Sequence, residues 1–154
     1  MEIFGIIALL LGAFSYLTLY NKTTWFGAQI WRIKTDKKIV ALTFDDGPNQ
    51  PFTSEIVALL EKYNQKATFF VVGKNMERFP GVVAKTQAAG HEIGIHSYLH
   101  QFRSYFSDPT YARQIRLAKE GLDREKITVN HLRFPWLFRT PWLARSSKNH
   151  GFSV

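Results

Sequence analysis

The sequence predicts an α/β fold built on a parallel sheet or barrel and preceded by one apolar N-terminal helix. Three observations lead there. Short runs rich in β-branched and aromatic residues alternate with segments whose apolar residues recur at helical spacing. The strand-like runs are apolar on both faces, as strands covered by helices on either side must be. Finally, the chain opens with an uncharged stretch from Ile3 to Tyr20, IFGIIALLLGAFSYLTLY.

That stretch just reaches the roughly 18 residues needed to cross the hydrocarbon core. It is apolar on every face, which argues against a helix of the globular domain. No Lys or Arg precedes it, so it lacks the basic start of a cleaved signal peptide, and Ala13-Phe14-Ser15 is a poor cleavage site. Residues 1–21 are therefore read as an uncleaved single-span membrane anchor, with secretion as the alternative. Residues 22–37 form a polar connector. Lys22, Arg32, Lys34, Lys37 and Lys38 follow the span and would favour a cytoplasmic location for what comes next. The Asn21-Lys22-Thr23 triplet fits a glycosylation sequon, a pattern too common to carry weight.

From residue 38 onward the elements alternate. Ile39–Phe44 reads as a buried strand stopped by Asp-Asp-Gly-Pro. Thr53–Tyr63 reads as a helix with Thr53 or Ser54 as its N-cap. Ala67–Val72 is a second strand closed by Gly73, and Pro80–Ala89 a short helix stopped by Gly90. His91–Ile95 is a third strand. Asp108 as N-cap and Pro109 at the first helical position open a helix to about Lys126. A strand near His131–Phe134 and a helix from Pro141 to about Asn149 complete the series. Gly151 reads as a stop, and Phe152-Ser153-Val154 as the opening of another buried strand. A parallel fold left there has an uncovered edge, so the domain over residues 38–154 is expected to lack its C-terminal part.

Composition narrows the chemistry. Without cysteine there is no disulfide framework, thiolate metal site or thiol nucleophile, so any metal must be held by histidine and carboxylate. A net charge of +8 favours an anionic partner. The charges are scattered and no DNA- or RNA-binding motif accompanies them, so nucleic acid is not expected.

Three clusters follow predicted strands, where parallel α/β folds deliver site residues. In Thr43-Phe44-Asp45-Asp46-Gly47-Pro48 two adjacent aspartates would ordinarily face opposite ways on a strand, but a Gly-Pro turn at its carboxyl end can aim both into one pocket. The plain alternative is a polar turn. In His96-Ser97-Tyr98-Leu99-His100 two histidines four apart share one face of a helical turn and can share a metal. The alternative is a pair of ordinary histidines, and His91 reads as a hydrogen-bonded structural residue. In Arg133-Phe134-Pro135-Trp136 an arginine can hold and orient a carboxylate, and a backbone N–H can stabilise an oxyanion. Trp136, Phe138 and Trp142 form either a sugar-stacking wall or core packing.

TFDDGP, ATFFVVG, AAGHEIGIHSYLH and RFPW, in that order, resemble the polysaccharide deacetylase family, which carries the NodB homology domain. The resemblance runs from Lys38 to the C-terminus. It implies an incomplete, distorted parallel (β/α) barrel of that type and a carbohydrate-esterase activity: hydrolysis of acetyl groups from N-acetylated sugars of peptidoglycan, a chitin-like polymer or an exopolysaccharide. It implies one divalent metal, zinc first with cobalt, nickel or manganese as substitutes, bound by Asp46, His96 and His100. Asp45 matches the general base and Arg133 the residue that tethers it, while Trp136 falls where an oxyanion-hole N–H is placed. An acetylated glycan, or an anionic wall polymer, is the implied partner, and the catalytic domain is expected outside the cell. The sequence departs from the family in lacking the Leu-x-His motif that supplies the leaving-group acid, and the Asp-Trp motif that supports it. Ile95 replaces the usual Asn or Ser, and Trp136-Leu137 the usual aromatic-glycine pair. A metal- or glycan-binding remnant without turnover is the alternative that these departures leave open.

Overall fold

A computed structural model describes residues 2–20 and 30–153. The sequon and residues 22–29 of the expected connector, Lys22 included, lie outside the described residues. The elements are α1 (Glu2–Leu19), β1 (Thr43–Gly47), α2 (Phe52–Lys62), β2 (Thr68–Val71), α3 (Gly73–Arg78), α4 (Val82–Ala88), β3 (Glu92–Ile95), α5 (Asp108–Arg124) and α6 (Pro141–Asn149). Short 3₁₀ turns cover Phe102–Phe106 and Pro135–Leu137.

The strands form a parallel sheet in the order β1-β2-β3. Thr43 lies opposite Thr68, and Phe69 opposite Ile93. Pairing then continues beyond β3. Leu132 bridges Ile95 in parallel, and Ser153 bridges His131 in parallel. The strand expected over His131–Phe134 is thus reduced to bridges, because the chain turns off at Pro135 directly after Phe134. The result is an incomplete barrel of parallel strands with helices between them, as the alternation implied.

The core collects where strand and helix faces meet. Phe69, Val71, Ile93 and Ile95 from the sheet pack with Tyr111, Ile115, Ala118 and Leu122 of α5, a helical i, i+4, i+7, i+11 series. Leu143 of α6 and Leu132, Phe134 and Phe152 join the same cluster. Helix α5 lies against α3, α6 and β3. Gly90 (φ 84°) and Gly151 (φ 80°) stop their helices in the left-handed conformation, as expected.

Several expectations are corrected. The first strand lies four residues later, and Ile39, Val40 and Leu42 are exposed. Among the described residues β1 is paired on one side only, so no layer covers the apolar residues before it. The N-cap of α2 is Pro51, not Thr53 or Ser54. Instead Thr53 is buried, and its Oγ1 accepts from the Asn49 amide at 2.8 Å, locking the turn ahead of the helix. The N-cap of α5 is Ser107, with Asp108 already helical. Gly73 opens α3 rather than closing a strand.

The single-span anchor expected over residues 1–21 finds no support: among the described residues no helix is long and apolar enough to cross a membrane. Helix α1 has 18 residues, or about 27 Å at 1.5 Å per residue, short of a core of about 30 Å. Its apolar surface is nonetheless open, with Ile3, Phe4, Leu9, Leu10 and Leu11 all exposed.

Candidate active site

The site begins at the end of β1. Parallel pairing with β2 slips between Phe44 and Gly47, and Asp46 takes a left-handed backbone (φ 67°). This bulge overcomes the alternation that would send neighbouring side chains to opposite faces. Asp45 meets Arg133, Asp46 meets His96 and His100, and both carboxylates act electrostatically on His96. The bend is held from both sides. Asn75 Nδ2 donates to the Asp46 carbonyl at 2.7 Å, and the Val72 amide donates to the Gly47 carbonyl at 2.8 Å.

The histidines follow β3 on a bend rather than the helical turn expected from their spacing. Ser97 (φ 82°) and His100 (φ 52°) are both left-handed, which folds the loop back on itself. The His100 amide donates to Ser97 Oγ at 2.8 Å, and the Leu99 amide to Oε1 of the buried Gln114 on α5 at 2.8 Å. The Gly73 and Lys74 amides at the start of α3 donate to the Ser97 and Tyr98 carbonyls at 3.0 and 2.9 Å. Five residues without regular structure are thereby fixed to two helices.

His96 is buried, and its Nδ1 lies 2.9 Å from the Arg133 carbonyl. A carbonyl only accepts, so Nδ1 carries the hydrogen and Nε2 presents its lone pair. Burial pulls this imidazole below its ordinary pKa, opposed by the charges of Asp45 and Asp46. Asp46 Oδ1 lies 3.6 Å from His96 Nε2 and 3.2 Å from His100 Nε2. One ligating atom from each residue lies within 4.8 Å of the others. One carboxylate oxygen with two imidazole nitrogens suits a borderline divalent cation and leaves a coordination position for water. The Asp46 side chain is 66% exposed, so the cluster opens to solvent on one side. The donor set fits the implied metal.

Arg133 Nη1 donates to Asp45 Oδ1 and to Thr43 Oγ1, both at 2.9 Å, with its guanidinium carbon 4.2 Å from the centroid of Phe70. The expected pairing of Arg133 with a carboxylate is present, and it falls on Asp45. Trp136 (φ 54°) is 49% exposed, and its ring centroid lies 4.3 Å from that of His100. The three-residue wall divides: Trp136 reaches the site, while Phe138 and Trp142 are partly buried against the core. His91 is a structural residue, its Nδ1 accepting from the Ala67 amide at 3.3 Å.

Sequence reasoning missed the supports. Asn75, Ser97 and Gln114 carry no motif of their own. Gly73 did carry a signal, since a glycine directly after a strand also marks close approach. A Cβ there would run into Tyr98 Cδ2, with Cε2 at 3.1 Å and Cγ at 3.2 Å. Phe102 and Phe106, half-exposed on the 3₁₀ turn after His100, were also overlooked.

Known proteins resemble this chain in sequence and in fold. A peptidoglycan-N-acetylglucosamine deacetylase from Bacillus cereus is 36% identical over 115 residues, which is 75% of this chain and 51% of that protein. A chitooligosaccharide deacetylase from Sinorhizobium fredii is 32% identical over 125 residues, 80% of this chain and 58% of that one. The structure of the peptidoglycan deacetylase PdaC from Bacillus subtilis superposes with a TM-score of 0.70 at 28% identity, covering 79% of this chain and 59% of the other. The chain thus spans about half the length of the relatives it matches. The family model described as polysaccharide deacetylase matches residues 32–154, and the chain belongs to that family.

Proposed function

We propose that this chain is, or is part of, a metal-dependent hydrolase that removes acetyl groups from N-acetylated sugars of a glycan, peptidoglycan first among them. The observation that carries the reading is the convergence of Asp46, His96 and His100 with the Asp45–Arg133 pair beside them. Curated relatives that are peptidoglycan and chitooligosaccharide deacetylases support it.

Asp46, His96 and His100 hold the divalent metal, zinc before cobalt, nickel or manganese. A divalent cation held there would supply Lewis-acid polarisation of an acetyl carbonyl and a lowered pKa for water at the site. The chain's own residues supply the rest. Asp45 is the general base, its carboxylate oriented by Arg133, which is in turn fixed by Thr43 and by the face of Phe70. The Arg133 carbonyl fixes the His96 tautomer, so one residue serves both base and ligand. The Trp136 amide is assigned to the developing oxyanion, on the ground that its ring lies against His100, 4.3 Å between centroids.

A second reading is binding without turnover. Among the described residues gathered at Asp46 there is no group to protonate a departing nitrogen, and Nδ1 of His150 is engaged by the Ser146 carbonyl at 2.8 Å.

One experiment separates them: zinc content and acetate release from N-acetylglucosamine oligomers and from peptidoglycan, with His100→Ala as the control. Zinc bound in a one-to-one ratio and acetate released, both lost in the variant, support the hydrolase. Zinc without acetate supports the binding reading, and zinc retention in His100→Ala refutes the site. We place the domain on the outer side of the cell membrane, held there by the apolar surface of α1, with secretion as the alternative. Protease accessibility in intact cells tests this, and complete protection refutes it.

A further inference from the structure

Helix α3 is six residues long, yet it is bonded to both segments that carry the proposed metal ligands. Asn75 Nδ2 donates to the Asp46 carbonyl at 2.7 Å. The Gly73 and Lys74 amides donate to the Ser97 and Tyr98 carbonyls, in the loop between His96 and His100. One further link joins helix and loop through side chains: the Tyr98 hydroxyl donates to Glu77 Oε1 at 2.7 Å. Glu77 Oε2 in turn accepts from Lys74 Nζ at 3.1 Å. The tyrosine ring is packed partly on the core and lies over Gly73, where a Cβ would run into it. A rigid ring held at its base by the loop and at its tip by a carboxylate transmits the position of α3 to the histidines on either side.

Of the two contacts that Glu77 makes, the tyrosine bond matters more. Lys74 and Glu77 form an i, i+3 pair with side chains 63% and 41% exposed, and pairs in that setting contribute little. The tyrosine bond is charge-assisted, and packing already holds the ring, so making the bond costs little side-chain freedom. That bond, with Lys74 adding to it, keeps the Glu77 carboxyl below its ordinary pKa, so the acceptor is charged across the neutral range. We propose that Glu77 is a positioning residue of the metal centre. By holding the Tyr98 hydroxyl it fixes the histidine loop against α3, the same helix that holds Asp46, and so sets the 3.2 Å approach of His100 Nε2 to Asp46 Oδ1. Glu77 acts on the ligands through Tyr98 and takes no part in the chemistry itself. The inference rests on the metal-site reading above for its consequence, and on the hydrogen bonds alone for its geometry.

The test follows metal and loop, not turnover. Zinc affinity, by competition with a chelator, and the visible spectrum of the cobalt-loaded chain are measured for Glu77→Ala, Glu77→Gln and Tyr98→Phe. Glu77 is exposed, so its variants keep the core intact. Glu77→Ala and Tyr98→Phe each remove one hydrogen bond and should weaken zinc binding about threefold to tenfold, with altered cobalt bands. The double variant should bind no more weakly than either single one, because both break the same link. Glu77→Gln keeps an oxygen acceptor and should stay within about twofold of the parent chain. Parental zinc affinity and cobalt spectrum in Glu77→Ala overturn the proposal even where Tm falls, since a purely stabilising residue would move the melt alone. So do additive losses in the double variant, or a Glu77→Gln as weak as Glu77→Ala, which would assign the effect to the Lys74 ion pair. The loop is also tested without metal. Hydrogen exchange of the His100 amide, which donates to Ser97 Oγ, should quicken about threefold to tenfold in Glu77→Ala and stay parental in Glu77→Gln, and unchanged exchange in Glu77→Ala overturns the proposal. A parent chain that binds no zinc while this exchange responds as expected would count against the metal reading and support the positioning role of Glu77.

Discussion

Gly73→Ala is the sharpest perturbation the structure offers. The added methyl does not strain the backbone but collides with the Tyr98 ring, whose Cδ2, Cε2 and Cγ all lie over the glycine. The ring cannot simply swing aside, because its hydroxyl donates to Glu77 Oε1 at 2.7 Å and its carbonyl accepts from the Lys74 amide. Overpacking of this kind costs about 1–3 kcal/mol, which for a chain of this size is a Tm fall of roughly 2–12 °C. Tyr98 sits between His96 and His100, so the displacement passes into the ligand loop, and zinc affinity should fall about 10–100-fold, as when a ligand's support is lost. Thermal melts and competition with a zinc chelator read both effects. Adding Tyr98→Ala removes the obstacle, so the double variant should show strong coupling and regain part of the zinc affinity. Unchanged Tm and zinc affinity in Gly73→Ala, or strict additivity in the double variant, would refute the argument.

Asp45→Asn should retain zinc and lose about 10²–10⁴ in acetate release, checked by metal content beside turnover. Arg133→Lys gives up the stacking on Phe70 and the planar fork, and should lower turnover about 10–100-fold through a misplaced Asp45 with zinc content unchanged. His91 is held below its ordinary value of 6.5, first by burial and then by Lys66. The unfolded chain therefore takes up a proton as pH falls through about 6.5 while the folded imidazole does not, so its contribution to stability is full above that pH and is lost below it. Protonation also removes the acceptor for the Ala67 amide. Tm measured from pH 8 down to about 5 should fall, and His91→Phe should flatten the decline relative to the parent chain.

Much of the fold was legible because its signals are local. The α5 helix opened by Pro109, the Gly90 and Gly151 stops and the β2 and β3 runs are each set by residues within one element. The shift of β1 was not legible, because whether Ile39–Leu42 is covered depends on what lies beside the strand. The Arg133 pairing could be anticipated from residue type, yet its carboxylate partner, Asp45, stands 88 positions away. The histidine spacing of four suggested a helical turn, whereas the loop reaches the same convergence through left-handed backbone at Ser97 and His100. Asn75 and Gln114 were invisible because a supporting amide is defined only by what it faces once folded.

Asp46, His100 and Trp136 share a conformation that side-chain-bearing residues avoid, at an expense of about 1–3 kcal/mol apiece. Glycine would occupy all three positions more comfortably. The strain at these positions is thus the cost of bringing Asp46, His96 and His100 together.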